Sequence, residues 1–461
     1  MKTTRKTLRI ARPDRGRGFH APRYSPLLGR LVQLVGPFYM RHFEKMGAVG
    51  ISGLDNLIDC FNEFNAGSAR LILLFRHPSR KDPTVLAYAI ARILPKLARQ
   101  AGRPLKYRPH ARFLYGKDVL NWAGPAAAWA FPRLGYIPVQ NLGANKDGLD
   151  LLRKELKSGI FPVCLAPEGQ VSYHMQQCAP LAAGFSMLAQ WGLESGQDVL
   201  ILPLNFEYDF GPDPLAQVQR LLQRWERESG CSLADLGRDE AKARETGPLA
   251  DTDDHAAAEN EAARLRRLLL AASDTSFGLL EQLYQLPAAK RDQDLMERKT
   301  AICHAALTAA EQMARLPHHG SLLERVFRIR YAGMERLHLE GVDPQTLPPL
   351  QRNLADFHAL EATVYLRHQQ VVDLLEYFDT EYIQDGCSPS RLCEFALNLV
   401  DILNRLRGGT INTRYNPPGQ AVTVRAGQPV RLPAGSGSEL SSKKKRAELQ
   451  EEIYRRLQNL S

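Results

Sequence analysis

Residues 70–94 read RLILLFRHPSRKDPTVLAYAIARIL. Arg70–Phe75 is an apolar run of strand length, and Pro83–Leu94 repeats apolar residues at helical spacing until Pro95 marks a stop. A strand that feeds a helix through a short polar loop is the building unit of an α/β layer. The same alternation continues downstream. Tyr136–Val139, Phe161–Ala166 and Val199–Phe206 read as strands, and Asp147–Lys157 and Gly184–Trp191 as helices. The expected fold class is therefore α/β, with a mixed, largely parallel sheet flanked by helices, over residues 25–230.

On the N-terminal side, residues 1–24 are basic and poor in apolar side chains, which predicts a disordered arm. Leu27, Leu28, Leu31, Leu34, Val35 and Phe38 then form a stripe at helical spacing, interrupted by Gly36-Pro37. It reads either as a helix packed on its own domain or as one lying in a bilayer interface beside the basic arm. On the C-terminal side, residues 231–262 are rich in Asp, Glu, Ala and Gly and read as an acidic linker or insertion. Residues 263–461 carry mainly helical patterning. Two short alternating runs, Ala421–Arg425 and Gln428–Leu432, predict a hairpin around Ala426-Gly427. The stripe Leu449, Ile453, Leu457 and Leu460 predicts a last helix that needs a partner surface.

Composition narrows the class. At 461 residues, 44% hydrophobic and 24% charged, the chain can bury a large core and fill two or three domains. No run approaches the roughly 20 apolar residues of a spanning helix; Val119–Val139 is broken by Pro125, Pro132 and Arg133. A basic start without an apolar run directly behind it predicts no signal peptide. Seven scattered cysteines without a C-x-x-C pair predict a reducing compartment and no structural zinc. The net charge of +10 is uneven: residues 1–112 hold 22 Lys/Arg against 6 Asp/Glu. Nucleic acid and anionic lipid attract such a surface by the same Coulomb interaction. No nucleic-acid-binding motif accompanies it, so none is expected as partner.

Four constellations carry chemistry. His77 and Asp82 stand five apart across the loop of the quoted stretch, so the carboxylate can fold back onto one imidazole nitrogen and leave the other as a general base. Asp82 before Pro83 is equally a good helix N-cap, and the two roles are compatible. Pro167-Glu168-Gly169-Gln170 puts an acid and a glycine at a strand end, where ligands sit in open α/β sheets. Gly135-Tyr136-Ile137-Pro138-Val139 and Ile201-Leu202-Pro203-Leu204 read individually as buried strands.

In their order, His-x-x-x-x-Asp, Gly-x-Ile-Pro-Val, a helix ending Leu156-x-x-Gly159, Pro-Glu-Gly and Ile-Leu-Pro-Leu, these motifs resemble the glycerolipid acyltransferase family, which includes the 1-acylglycerol-3-phosphate acyltransferases. The match covers roughly residues 69–210. The resemblance implies transfer of a fatty acyl group from acyl-CoA or acyl carrier protein to a lipid hydroxyl, without a metal or cofactor. It implies His77 and Asp82 as the catalytic pair, with Arg80, Pro167, Glu168, Gly169 and Gln170 on the substrate. Two positions depart from it. Gln140 follows Val139 where the family commonly has Arg, and Gln170-Val171 stands where it has Thr-Arg. An Arg fork is the natural phosphate ligand, so either Arg80, Lys81, Arg133 or Lys146 substitutes or the acceptor is an unphosphorylated alcohol, with Tyr173 and His174 lining its site. A non-catalytic lipid-binding or scaffold protein is the competing class. The expected location is cytoplasmic, peripherally associated with an anionic membrane surface.

Several residues invite bland readings. His110 between Arg108 and Arg112 reads as surface, Trp122 and Trp129 as one face of a core helix, and Lys443–Arg446 as a solvated helix start. Ser186 lacks the second glycine of a nucleophile elbow.

Overall fold

The computed structural model describes residues 11–140, 146–182, 184–233, 254–287 and 294–460. Its strands are β1 (Asp14–Gly16), β2 (Met46–Ser52), β3 (Ala69–Phe75), β4 (Arg112–Gly116), β5 (Ile137–Val139), β6 (Val163–Leu165), β7 (Asp198–Asp209), β8 (His338–Glu340), β9 (Gln420–Ala426) and β10 (Val430–Leu432). The helices of the first half are α1 (Pro26–His42), α2 (Leu54–Ala66), α3 (Asp82–Tyr88), α4 (Leu94–Gln100), α5 (Val119–Trp122), α6 (Pro125–Arg133), α7 (Lys146–Ser158), α8 (Phe185–Leu193) and α9 (Pro214–Ser229). Those of the second half are α10 (Asp254–Leu283), α11 (Leu295–Ala314), α12 (Leu322–Leu337), α13 (Pro349–Leu375), α14 (Pro389–Leu406) and α15 (Lys443–Gln458).

The main sheet runs β2-β9-β7-β3-β6-β4-β5, with β10 also on β7. From β7 to β5 all neighbours are parallel, while β9 is antiparallel to β7. The chain is thus α/β with a mostly parallel sheet and a mainly helical C-terminal region, as the alternation in the sequence predicts. Strand β3 is central and covered on both faces, which is why its sequence is a continuous apolar run. Leu71, Leu73 and Phe75 face α2 and α3, and Ile72 and Leu74 face α8 and α15. Leu73 is fully buried, so Leu73→Ala would cost about 2–5 kcal/mol.

Tertiary pairing overturns several local expectations. The predicted hairpin does not form: β9 pairs with Leu204–Asp209 and β10 with Val199–Ile201, so both lie along one edge of β7. Between the pairs Ile201–Val430 and Leu204–Ala426 lie two residues of β7 and three of the other strand, and the extra residue is a bulge beside Gly427, whose N–H donates to Pro203 O. Residues 420–458 therefore belong to the α/β layer, not to the helical region. Leu449, Ile453 and Leu457 of α15 find their partner surface there. Pro95 does not stop its helix. Ala89–Ile93 forms a π turn and α4 follows it without a break, so the helical path runs on through Pro95.

The acidic linker ends earlier than expected, because α10 already begins at Asp254; residues 234–253 lie outside the described ones. The basic arm is ordered in part: Asp14–Gly16 pairs in parallel with His338–Glu340, and residues 1–10 lie outside the described ones. Trp122 and Trp129 sit on two separate helices, and Trp129 is exposed under the Arg133 guanidinium, 4.8 Å from its ring centroid. The helical region has its own core, in which α9, α10 and α14 pack together and α13 packs on α11 and α12. Among the described residues, no helix is long and apolar enough to cross a membrane.

Candidate active site

Strand β3 delivers its last residues to the edge of the sheet where β6 also ends and past which β7 runs on to Asp209. Arg76 follows it and is fully buried. Its guanidinium donates to Met175 O at 2.8 Å, to His174 O at 2.9 Å and to Gln177 O, and lies 3.7 Å from Glu168 Oε1. It therefore anchors the loop after β6 to the end of β3.

The next residue, His77, is held at both ends of its own peptide unit. Its N–H donates to Glu168 Oε2 at 2.7 Å, and its carbonyl accepts from Ser172 N–H at 2.8 Å. Its ring packs edge-on to Phe75, and Nδ1 lies 3.0 Å from Asp82 Oδ2. The side chain keeps 17% exposure, against none for Asp82. A buried carboxylate on Nδ1 leaves Nε2 as the nitrogen able to take a proton.

Asp82 is the first helical residue of α3, one position past the N-cap. Its carboxylate points back into the loop, where Oδ2 accepts from Ser79 N–H at 2.7 Å and Oδ1 accepts from the Tyr208 hydroxyl. The N-cap reading is thus replaced by a loop-closing one. Burial pushes the Asp82 carboxyl up, and the bonds from His77, Tyr208 and Ser79 pull it back. Burial and the neighbouring Asp82 carry the Tyr208 phenol well above its ordinary range, so it stays a donor. Tyr208 and Arg76 were not legible as site residues. Tyr208 lies where β7 continues beyond the apolar run, a continuation that depends on pairing with β9.

The loop after β6 faces inward. Pro167 is buried and its carbonyl accepts from Ala182 N–H at 2.7 Å. Glu168, 1% exposed, also accepts from Ala179 N–H at 3.2 Å. The structure does not leave this carboxylate on an open rim; it is spent on placing His77. Gly169 has φ +79°, and a Cβ there would meet nothing, so backbone conformation alone calls for glycine. Gln170 Nε2 donates to Glu376 Oε2 and to Tyr377 Oη, each at 3.0 Å, and its Oε1 lies 3.5 Å from Arg330 Nη2. Tyr173 and His174, expected beside the acceptor, are buried against the helical region instead. The Tyr173 hydroxyl accepts from Arg405 at 3.1 Å, and His174 lies 3.4 Å from Asn398. Burial drives the His174 imidazole down to about 3, so it is neutral.

The candidate phosphate ligands are largely engaged. Arg80 Nη2 lies 3.6 Å from Glu44 Oε2. Lys81 is 2% exposed, donates to Glu44 O at 2.8 Å, and burial lowers its ammonium to about 8. Arg133 donates to Trp129 O at 2.9 Å. Lys146 is exposed at the start of α7. Arg330, which sequence reasoning missed, pairs with Asp373 at 2.5 Å. His110 is not a surface residue: it packs among Tyr24, Tyr136 and Phe161, its Nε2 lies 2.8 Å from Leu134 O, and burial lowers it to about 4. The seven cysteines are free thiols. Among the described residues, no group of three or more His, Cys, Asp or Glu could hold a metal ion. No family model matches the chain and no curated protein matches it, so what is known of the site is its geometry and the four motifs.

Proposed function

We propose that this chain is an O-acyltransferase that moves a fatty acyl group from an acyl-CoA or acyl carrier protein thioester to the hydroxyl of a glycerolipid-type acceptor at the cytoplasmic surface of a membrane. The observation that carries the proposal is the meeting at His77 of two motifs 91 residues apart: Asp82 on its ring and Glu168 on its backbone N–H. In the proposed step the acceptor hydroxyl gives its proton to His77 Nε2 and its oxygen attacks the thioester carbonyl. The C–O bond forms, the C–S bond breaks, and the leaving thiolate takes the proton from the imidazolium. Asp82 holds the ring in the required tautomer, and Tyr208 and Ser79 hold Asp82.

A second reading, with an unphosphorylated alcohol as acceptor, is favoured by a specific observation. Arg80, Lys81 and Arg330 already have partners, and Asp373 and Glu376 stand beside Gln170. Carboxylates next to a phosphate are repulsive. The test is acyl transfer and thiol release by the purified protein, with lysophosphatidic acid and unphosphorylated lipid alcohols as acceptors. Failure of all acceptors, with the same background from His77→Ala, would leave the lipid-binding or scaffold class.

A further inference from the structure

Helix α1 turns most of its apolar side chains away from the protein. Leu27 is 76% exposed, Leu34 73% and Phe38 57%, and Phe43 just beyond the helix is 65% exposed. Its contact with the domain is narrow, made by Leu28, Gly36 and Met40. Gly36 permits close approach, since a Cβ there would come within 2.9 Å of Tyr88. A cavity of about 140 Å³ lies beneath the helix, beside Gly29, Gln33, Ile90 and Tyr136. The helix contains no acidic residue, while Arg23, Arg30, Arg41 and Lys45 on and beside it are exposed. An apolar face rimmed by cations fits an anionic bilayer surface.

This helix ends against the loop that carries His77. Glu44, 6% exposed, receives the Tyr39 hydroxyl at 3.2 Å and lies 3.6 Å from Arg80, and its carbonyl accepts from Lys81 Nζ at 2.8 Å. Arg80 and Lys81 sit directly between His77 and Asp82 in the chain. We propose that α1 docks on an anionic bilayer through its apolar face and that Glu44 is the positioning residue by which docking orders the His77–Asp82 loop. The docking surface stands on its own; the consequence for acyl transfer rests on the function proposed above.

Hydrogen exchange of residues 76–82 and sedimentation with vesicles test it together. Vesicles of phosphatidylglycerol and phosphatidylcholine should retain the protein and slow exchange in the loop several-fold, and pure phosphatidylcholine should do neither. Leu34→Ser/Phe38→Ser should lose retention and protection together. Glu44→Gln should keep retention and lose the protection, with Glu44→Asp restoring part of it. Retention of the double variant equal to wild type would overturn the docking surface, and full loop protection in Glu44→Gln would overturn the role of Glu44. Neither readout requires acyl transfer. Where transfer is observed, vesicles should raise kcat at least threefold in wild type and not in Glu44→Gln; equal stimulation would also overturn the coupling.

Discussion

The loop after β3 and the loop after β6 lie side by side at the same sheet edge, and they differ in how much of their shape is set from within. Residues 76–82 carry an internal clasp, Asp82 on the His77 ring and on Ser79 N–H, together with outside anchors from Glu168, Ser172, Glu44 and Tyr208. Residues 167–178 are held by distant parts of the chain: Gln170 by α13 and its end, Tyr173 by Arg405 of α14, and Met175 N–H by Glu394 of the same helix. The first loop keeps a side chain accessible to solvent; the second turns its polar groups inward and acts as the back wall. The loop with the internal clasp presents the candidate base, and the loop built by tertiary contacts fixes its backbone in place.

The comparison breaks most visibly at the His77–Asp82 pair. Asp82→Asn keeps the shape but removes the charge that supports an imidazolium, and kcat should fall on the order of 10²-fold or more, less than the 10⁴ of the protease precedent. His77→Ala should fall at least as far, and the double variant little further, since the two act as one unit. Near-normal transfer by folded Asp82→Asn protein would reduce Asp82 to a structural residue.

The back wall is tested next by Glu168→Gln. The substitution removes the carboxylate beside the fully buried Arg76, and losing the charged partner of a buried pair costs about 3–5 kcal/mol. The midpoint of chemical denaturation should drop accordingly, with kcat reduced because a Gln leaves one acceptor oxygen for the two N–H groups, of His77 and Ala179, that Glu168 holds. An unchanged midpoint would show that the backbone carbonyls around Arg76 suffice.

Tyr208→Phe removes one of the donors to Asp82. A hydrogen bond to a charged group contributes about 1.5–3 kcal/mol, so kcat should fall roughly tenfold while the acceptor KM stays put. A selective rise in KM would place Tyr208 on the substrate instead.

The smallest effect on turnover concerns the contact between the β6 loop and the helical region. Burial raises Glu376 to about 7, and the nearby Asp373 pushes in the same direction. A carboxyl raised above its unfolded value of 4.5 binds more protons in the folded state. Its contribution is therefore lost as pH climbs from about 4.5 to about 7. Glu376→Gln should gain stability relative to wild type across that window, by up to about 3 kcal/mol at its upper end. A pH-independent difference would show that Glu376 ionises normally in the fold.

Much of the core was legible because its signals are local. The apolar run before His77, the Asp-Pro helix start and the Pro-Glu-Gly turn are each written within a few consecutive residues. Strands β2 and β4 were missed: β2 is partly exposed and glycine-rich, and β4 is short and charged at one end. The hairpin expectation failed because alternation gives a strand its faces but not its partner.

What the sequence by itself determined is the alternation of strand and helix, the basic N-terminal quarter, and a spacing that lets Asp82 reach His77, all of them written along single stretches of chain. Only the tertiary structure decided that Glu168 faces His77 rather than open solvent, that Tyr208 completes the Asp82 shell, and that residues 420–458 return to the sheet. The physical reason is that a buried polar group must find a partner wherever one is available. For Glu168, Tyr208 and Gln170 the partner lies tens to hundreds of residues away, where neither spacing nor periodicity reaches.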